Sequence, residues 1–175
     1  MMIAIISGTN REPSMSKEIA LFYQKILAEF GSNTDIIDLG KLPTDFLNVA
    51  LYKNSGKSDA FNPMRIQMKM SAKMIFIVPE YNGSFPGVLK AFIDALEFPN
   101  TFKNKKCALI GLSSGSQGGG LALSHLTDIL NYCGANVLAQ KPRLARIEAS
   151  FQDGEFSNPT YLELLKEQAQ AFLDF

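Results

Sequence analysis

Three short segments of the chain are apolar or glycine at every position: Ile3 to Ile6, Met74 to Val78, and Cys107 to Leu112. A strand with one wet face alternates polar and apolar residues, so an unbroken run marks a strand covered on both faces. Between these runs the apolar spacing changes to that of a helix. Ile19, Tyr23, Ile26, Leu27 and Phe30 form one buried stripe, stopped by Gly31. Val88, Leu89, Phe92, Ile93 and Leu96 form a second from about Pro86, and Leu126, Ile129, Leu130 and Cys133 a third. Thr34 to Leu39 reads as another strand, and Pro79 ends the third by removing a ladder donor. Asn136 to Leu138 begins a fifth that resumes near Ala145. Asn158-Pro159 is an N-cap and N1 pair for a last helix packed through Tyr161, Leu165, Ala169 and Phe172. Alternating strands and helices imply right-handed crossovers, hence one α/β domain over 1–175 with a doubly wound parallel sheet of five strands. Gly40 to Asn62 is the irregular stretch.

Composition excludes several functions. The 175 residues carry 17 basic and 17 acidic side chains, so there is no cationic surplus for a nucleic-acid partner. An apolar share of 46% rules out a disordered chain. Cys107 and Cys133 lack partners at disulfide or metal-ligand spacing, which predicts core thiols, no metal site and a reducing cytoplasm. The opening Met1 to Ile6 has no basic flank and is too short for a signal peptide or a bilayer span, so no membrane association is expected.

In a doubly wound sheet, ligands bind outside the carboxyl ends of the strands. Three loops leave that edge, and each is unusual. The first, Ser7 to Ser16, presents free amides at a helix N-terminus, the hydroxyls of Thr9, Ser14 and Ser16, and Arg11. That set suits a phosphate. The same residues also fit a plain N-cap at Ser14 or Ser16 beside a solvated Arg11, and the loop alone does not separate the two. It contains neither Gly-x-Gly-x-x-Gly nor Gly-Lys-Ser/Thr, which disfavours a dinucleotide fingerprint and a P-loop. The second loop, Pro79-Glu80-Tyr81-Asn82-Gly83-Ser84-Phe85-Pro86-Gly87, is stiffened by its prolines and places amides beside an aromatic ring, a fit for the edge of a planar heterocycle. In it, the Glu80 backbone is expected to matter more than its carboxylate. The third, Gly111 to Gly120, runs through Ser113, Ser114 and Gly115 and admits a ligand close to the main chain; by itself it reads as a flexible turn.

The run Pro79-Glu80-Tyr81-Asn82-Gly83-Ser84-x-Pro86-Gly87-x-Leu89-Lys90 resembles the signature of the NAD(P)H-dependent FMN reductases, a flavodoxin-like family that includes quinone, azo-dye and chromate reductases. Gly8, Thr9, Arg11, Ser14 and Ser16 are similar to that family's phosphate loop, and Ser113 to Gly119 to its third loop. The resemblance implies a flavodoxin-like sheet of order 2-1-3-4-5 and tightly bound FMN. FMN would be held by Thr9, Arg11, Ser14, Met15 and Ser16 at the phosphate, by Pro79, Glu80, Tyr81, Asn82 and Gly83 at the ring, and by Ser113, Ser114 and Gly115 near the pyrimidine. It further implies NAD(P)H as co-substrate, a small-molecule electron acceptor, no catalytic side chain and a homodimer or homotetramer. The chain departs from the family at Glu97-Phe98-Pro99-Asn100, has no Trp, and follows it poorly from Gly40 to Asn62. An electron-carrying flavodoxin is the alternative, opposed by the zero net charge and Arg11. A receiver domain fails, because Ser7-Gly8 and Pro79-Glu80 stand where its acidic residues belong. His125 reads as a packed or interface residue, Met64, Met68, Met70 and Met74 as core filling, and Lys103, Lys105 and Lys106 as a solvated turn.

Overall fold

In the computed structural model, which describes residues 2–175, the elements run in order along the chain. They are β1 (Ile3–Ser7), α1 (Met15–Glu29), β2 (Thr34–Asp38), α2 (Phe46–Val49), α3 (Asn62–Met70), β3 (Lys73–Pro79), α4 (Gly87–Asp94), β4 (Lys106–Leu112) and α5 (Gly120–Tyr132). Then follow β5 (Asn136–Val137), β6 (Arg143–Leu144), α6 (Ile147–Ser150), β7 (Phe151–Gln152), β8 (Glu155–Phe156) and α7 (Pro159–Asp174). The main sheet has the order β2-β1-β3-β4-β5, all parallel, with β6 also on β4. The last strand position is broken, as its sequence indicates. Asn136 pairs with Lys106 at the start of β4, and Leu144 pairs with Leu112 at its end.

The unbroken apolar runs are explained by two cores, one on each face. Ala4, Ile6, Met74, Phe76, Val78, Cys107 and Leu109 point to the side covered by α3, α4 and α5. Ile3, Ile5, Ile75, Ile77, Ala108 and Ile110 point to the side covered by α1 and α7. Successive residues of each strand thus alternate between two buried environments. A buried polar bridge crosses the second core. The Tyr23 hydroxyl donates to Gln168 Oε1 at 3.0 Å, and Gln168 Nε2 donates to the carbonyls of Leu109 at 2.9 Å and Gln140 at 3.0 Å. The buried Lys73 ammonium donates to the Phe172 carbonyl at 2.7 Å and the Leu173 carbonyl at 2.9 Å, which closes the C-terminus of α7.

The stretch from Gly40 to Asn62 is more ordered than its composition suggests. Short helical turns alternate with bends, and Phe46, Ala50, Leu51 and Phe61 are buried. Phe61 meets Phe46 and Phe92 edge-on at 5.0 and 5.9 Å. This segment therefore extends the core beneath α4. Among Met64, Met68, Met70 and Met74, Met68 and Met74 are fully buried, whereas Met70 is exposed on α3 and does not fill the core. The parallel neighbours β1, β3 and β4 end at the same side, Ser7 level with Ile77 and Pro79 level with Leu112, so the three unusual loops leave one edge of the sheet.

Candidate active site

The first loop is fixed before it reaches the helix. Gly8 N donates to the Ile77 carbonyl at 2.9 Å, and a Cβ on Gly8 would lie 2.6 Å from that oxygen, so the turn needs glycine. Thr9 is buried, its Oγ1 2.8 Å from the Tyr81 hydroxyl, which locks the first loop to the second. Ser14 is the N-cap of α1: its Oγ accepts from Lys17 N at 3.2 Å. Ser16 Oγ is buried without a partner among the described residues. Met15 N and Ser16 N precede the first intrahelical acceptor. The capping reading thus holds for Ser14, while Ser16 is left with hydrogen-bonding capacity facing the cleft. Arg11 is exposed and makes no ion pair among the described residues. Lys17 binds Asp38 at 2.9 Å instead, and that hydrogen bond and charge hold its proton above the ordinary lysine range.

In the second loop, Tyr81 N donates to the Ser84 carbonyl at 2.8 Å and Ser84 N to the Tyr81 carbonyl at 3.1 Å. Asn82 and Gly83 between them have φ of 52° and 76°, the pair of left-handed residues that makes a tight I′ turn. Ser84 Oγ is 3.0 Å from His125 Nδ1, so His125 braces this turn from α5. In the third loop, Ser113 Oγ accepts from Gly118 N at 2.8 Å and donates to the Gly115 carbonyl at 2.9 Å. Three more bonds tie it to the segment after the last strand: Ser113 N to the Leu144 carbonyl, Arg146 N to that of Gly115, and Ile147 N to that of Ser113, at 3.1, 2.9 and 3.0 Å. This loop is an ordered wall, not a flexible turn.

Together the loops enclose a cleft of about 280 Å³. Thr9, Arg11, Ser14, Met15, Ser16, Pro79, Glu80, Tyr81, Ser113 and Ser114 all line it. Asn82, Gly83 and Gly115 lie outside the lining; Asn82 and Gly115 are exposed, and Gly83 is at the tip of the turn. Pro13, Glu18, Leu112, Ile147 and Glu148 complete the wall and were not singled out in the sequence. Leu112 and Pro13 adjoin chosen residues. Ile147 and Glu148 arrive only through the main-chain bonds from the third loop, for which the sequence has no local signal. A larger groove of about 610 Å³ lies at the other ends of α4 and α5, between Ile93, Phe98, Ile129 and Tyr132. It has neither free helix-start amides nor an arginine. Among the described residues no cluster of His, Cys, Asp and Glu is placed to hold a metal ion, and no helix is long and apolar enough to cross a membrane.

A hydroxyl-lined helix start at one end of a cleft, with proline and tyrosine on its wall, lies across the carboxyl ends of a doubly wound sheet, where α/β proteins of this topology bind their ligands. The model of the NADPH-dependent FMN reductase family matches residues 1–145. A 2-hydroxy-1,4-benzoquinone reductase from a Burkholderia species is 28% identical, covering 99% of this chain and 96% of its own. An NAD(P)H-dependent FMN reductase from Pseudomonas aeruginosa is 30% identical over 95% of this chain and 90% of its own. Among solved structures, the flavoenzyme NAD(P)H:(acceptor) oxidoreductase FerB from Paracoccus denitrificans superposes with a TM-score of 0.78 at 25% identity, covering 99% of this chain and 95% of that one. The chain belongs to the NADPH-dependent FMN reductase family.

Proposed function

We propose that this chain binds FMN in the cleft and is an NAD(P)H-dependent oxidoreductase acting on a small acceptor of the quinone class, with azo compounds, metal oxyanions and free flavin as related acceptors. The observation that carries this reading is the union, in one cleft, of a phosphate-type end and a planar-ring end. Ser16 Oγ is buried and lacks a partner among the described residues, beside the N–H groups of Met15 and Ser16 at the start of α1. Pro79 and Tyr81 stand on the same cleft, fixed by the 2.8 Å bond between Tyr81 and Thr9. The relatives named for quinone reduction favour the quinone class.

When bound, FMN supplies the two-electron chemistry between nicotinamide and acceptor. The protein does the rest. Arg11, Ser16 and the start of α1 bind phosphate through charge and oriented N–H groups. The rigid second loop orients the ring edge. The third loop, through Ser113 and Ser114, would wall the pyrimidine side of the ring, held in place by the bonds of Ser113 to Gly115, Gly118 and Leu144. Proline, tyrosine, leucine and isoleucine on the wall exclude water. No side chain is required to move a proton for the hydride step.

The same reading makes the protein a homo-oligomer. Leu121, His125 and Tyr132 share one exposed face of α5, and Phe98 stacks on Tyr132 at 6.3 Å. Leu121, Phe98 and Tyr132 are 58%, 66% and 82% exposed, and with His125 and Asp128 they form a mixed, largely aromatic and aliphatic stripe from the second loop to the groove between α4 and α5. A second copy on that stripe also flanks the cleft. The two free thiols fit a cytoplasmic location.

The test is spectroscopic. The FMN-loaded protein is expected to lose its yellow absorption within seconds of adding NADH or NADPH without oxygen, and to regain it when a benzoquinone is added. Loss of colour only when a separate protein reductase is supplied overturns the enzyme reading in favour of an electron carrier.

A further inference from the structure

Lys141 and Arg143 are two cations that the fold fixes in place and leaves without a counter-charge. They stand two residues apart, as same-side neighbours in an extended segment do, and both line a groove of about 430 Å³ beside α5. The backbone is pinned on either side of Lys141: the Gln140 carbonyl accepts from Gln168 Nε2 at 3.0 Å, and the Pro142 carbonyl from Gly111 N at 2.9 Å. Arg143 itself pairs with Gly111 in the sheet. It packs on Gly118, which has φ of 59° and where a Cβ would lie 2.7 Å from Arg143 Cβ, so this turn calls for glycine. Other cations that the fold draws inward are satisfied. Lys17 binds Asp38, and Lys73 and Lys105 each donate to two carbonyls. Lys141 reaches only the Ala139 carbonyl, at a long 3.4 Å, and Arg143 makes no ion pair among the described residues. Burial holds the Lys141 ammonium below the ordinary lysine range, and no carboxylate offsets it. Asp128 is the one acid on the groove and pairs with neither cation. The helix α5 begins on the same wall without a side-chain cap, and a Cβ on Gly120 would lie 3.4 Å from Arg143 Nη1. Two cations thus stand at the positive end of a helix dipole, and such charges repel until an anion joins them.

We propose that this groove binds a phosphate group, held by Lys141 as a point charge, by the Arg143 fork and by the Ser124 hydroxyl on the facing helix. Two sources share that chemistry: inorganic phosphate, and the 2′-phosphate that distinguishes NADPH from NADH. The second rests on the reading of the protein as an NAD(P)H-dependent enzyme. The groove and the cleft meet at the third loop, with Ser113 and Ser114 lining the cleft and Gly120, where the loop ends, lining the groove.

The experiment titrates the FMN-loaded protein, whose cofactor phosphate site is then filled, with inorganic phosphate while NMR follows the amide resonances of Gly120 and Arg143. Shifts that saturate are expected, and sodium chloride at matched ionic strength is not expected to reproduce them. The double variant Lys141→Gln with Arg143→Gln removes both charges and keeps polar side chains at the surface. It is expected to bind phosphate at least about tenfold more weakly, the loss implied by charge-assisted hydrogen bonds. The ratio of kcat/KM for NADPH over NADH, measured with a benzoquinone, then identifies the source. A fall of about tenfold in the double variant assigns the groove to the 2′-phosphate of the co-substrate. An unchanged ratio beside weakened phosphate binding assigns it to free phosphate. Shifts that do not saturate, that chloride reproduces, or that keep the same affinity in the double variant overturn the proposal. The phosphate titration needs no turnover, so those results leave the flavin-reductase reading standing. A protein that fails to bind FMN overturns that reading instead, while the amide shifts still test the groove.

Discussion

Arg11 is the one cation among the described residues lining the cleft, set against Glu18, Glu80 and Glu148. With three acids present, phosphate binding leans on it heavily. Arg11→Ala is expected to weaken FMN by about tenfold or more while leaving riboflavin, which has no phosphate, nearly unchanged. Equal weakening of both in a fluorescence titration contradicts the placement. A second residue-scale expectation concerns alkaline pH. Burial pushes the Cys107 thiol from its ordinary value near 9 up to about 12, and raises the Tyr23 hydroxyl as well. Between those two values the unfolded chain has released the Cys107 proton and the folded chain still holds it. Stability therefore falls as pH rises through that window, by about 1.4 kcal/mol per unit from this group. Cys107→Ala is expected to be less stable at neutral pH yet to show a slope shallower by about that amount in urea melts. An unchanged slope contradicts it. That Cys107 is a core thiol was legible from its place in an unbroken apolar run; that Ser16 would keep a free hydroxyl while Ser14 capped the helix was not. Both serines have the right chemistry, and only the entry angle of the chain separates them.

At the scale of elements, β1, β3 and β4 were legible because each is buried on both faces, and an apolar run bounded by turn residues that is too short for a helix reads as such a strand. The helix α3 was not. Of Asn62 to Met70 only Met68 is buried, so there was no stripe to see. The order between Gly40 and Asn62 was hidden for a similar reason: its buried aromatic residues lack a repeating interval and find their partners across the core. Two substitutions test how elements are held together. Gly8→Ala drives a methyl group into the Ile77 carbonyl where β1 and β3 adjoin, and is expected to cost about 1–3 kcal/mol and to displace the first loop. Gln168→Leu strands the Tyr23 hydroxyl and two carbonyls in the second core, and is expected to cost at least about 2 kcal/mol in a denaturant melt. A loss below about 0.5 kcal/mol contradicts the bridge as a link between α1, α7 and β4.

For the whole molecule, the site was legible in outline because topology alone brings the ends of β1, β3 and β4 to one edge. Its last wall was not, since Ile147 and Glu148 depend on the break in the final strand and on main-chain bonds from the third loop. The exposed stripe along α5 carries an expectation for assembly. Light scattering should report at least a dimer, and Tyr132→Glu, which removes the most exposed aromatic ring and sets a second acid beside Asp128, should shift it toward monomer; a monomeric wild type contradicts the interface. All of this depends on what the cleft holds. The most direct measurement is an equilibrium titration of the apo-protein with FMN and with riboflavin. Saturation at one FMN per chain, with riboflavin bound far more weakly, is the expected result. No saturable FMN binding, or equal affinity for the two flavins, contradicts the account.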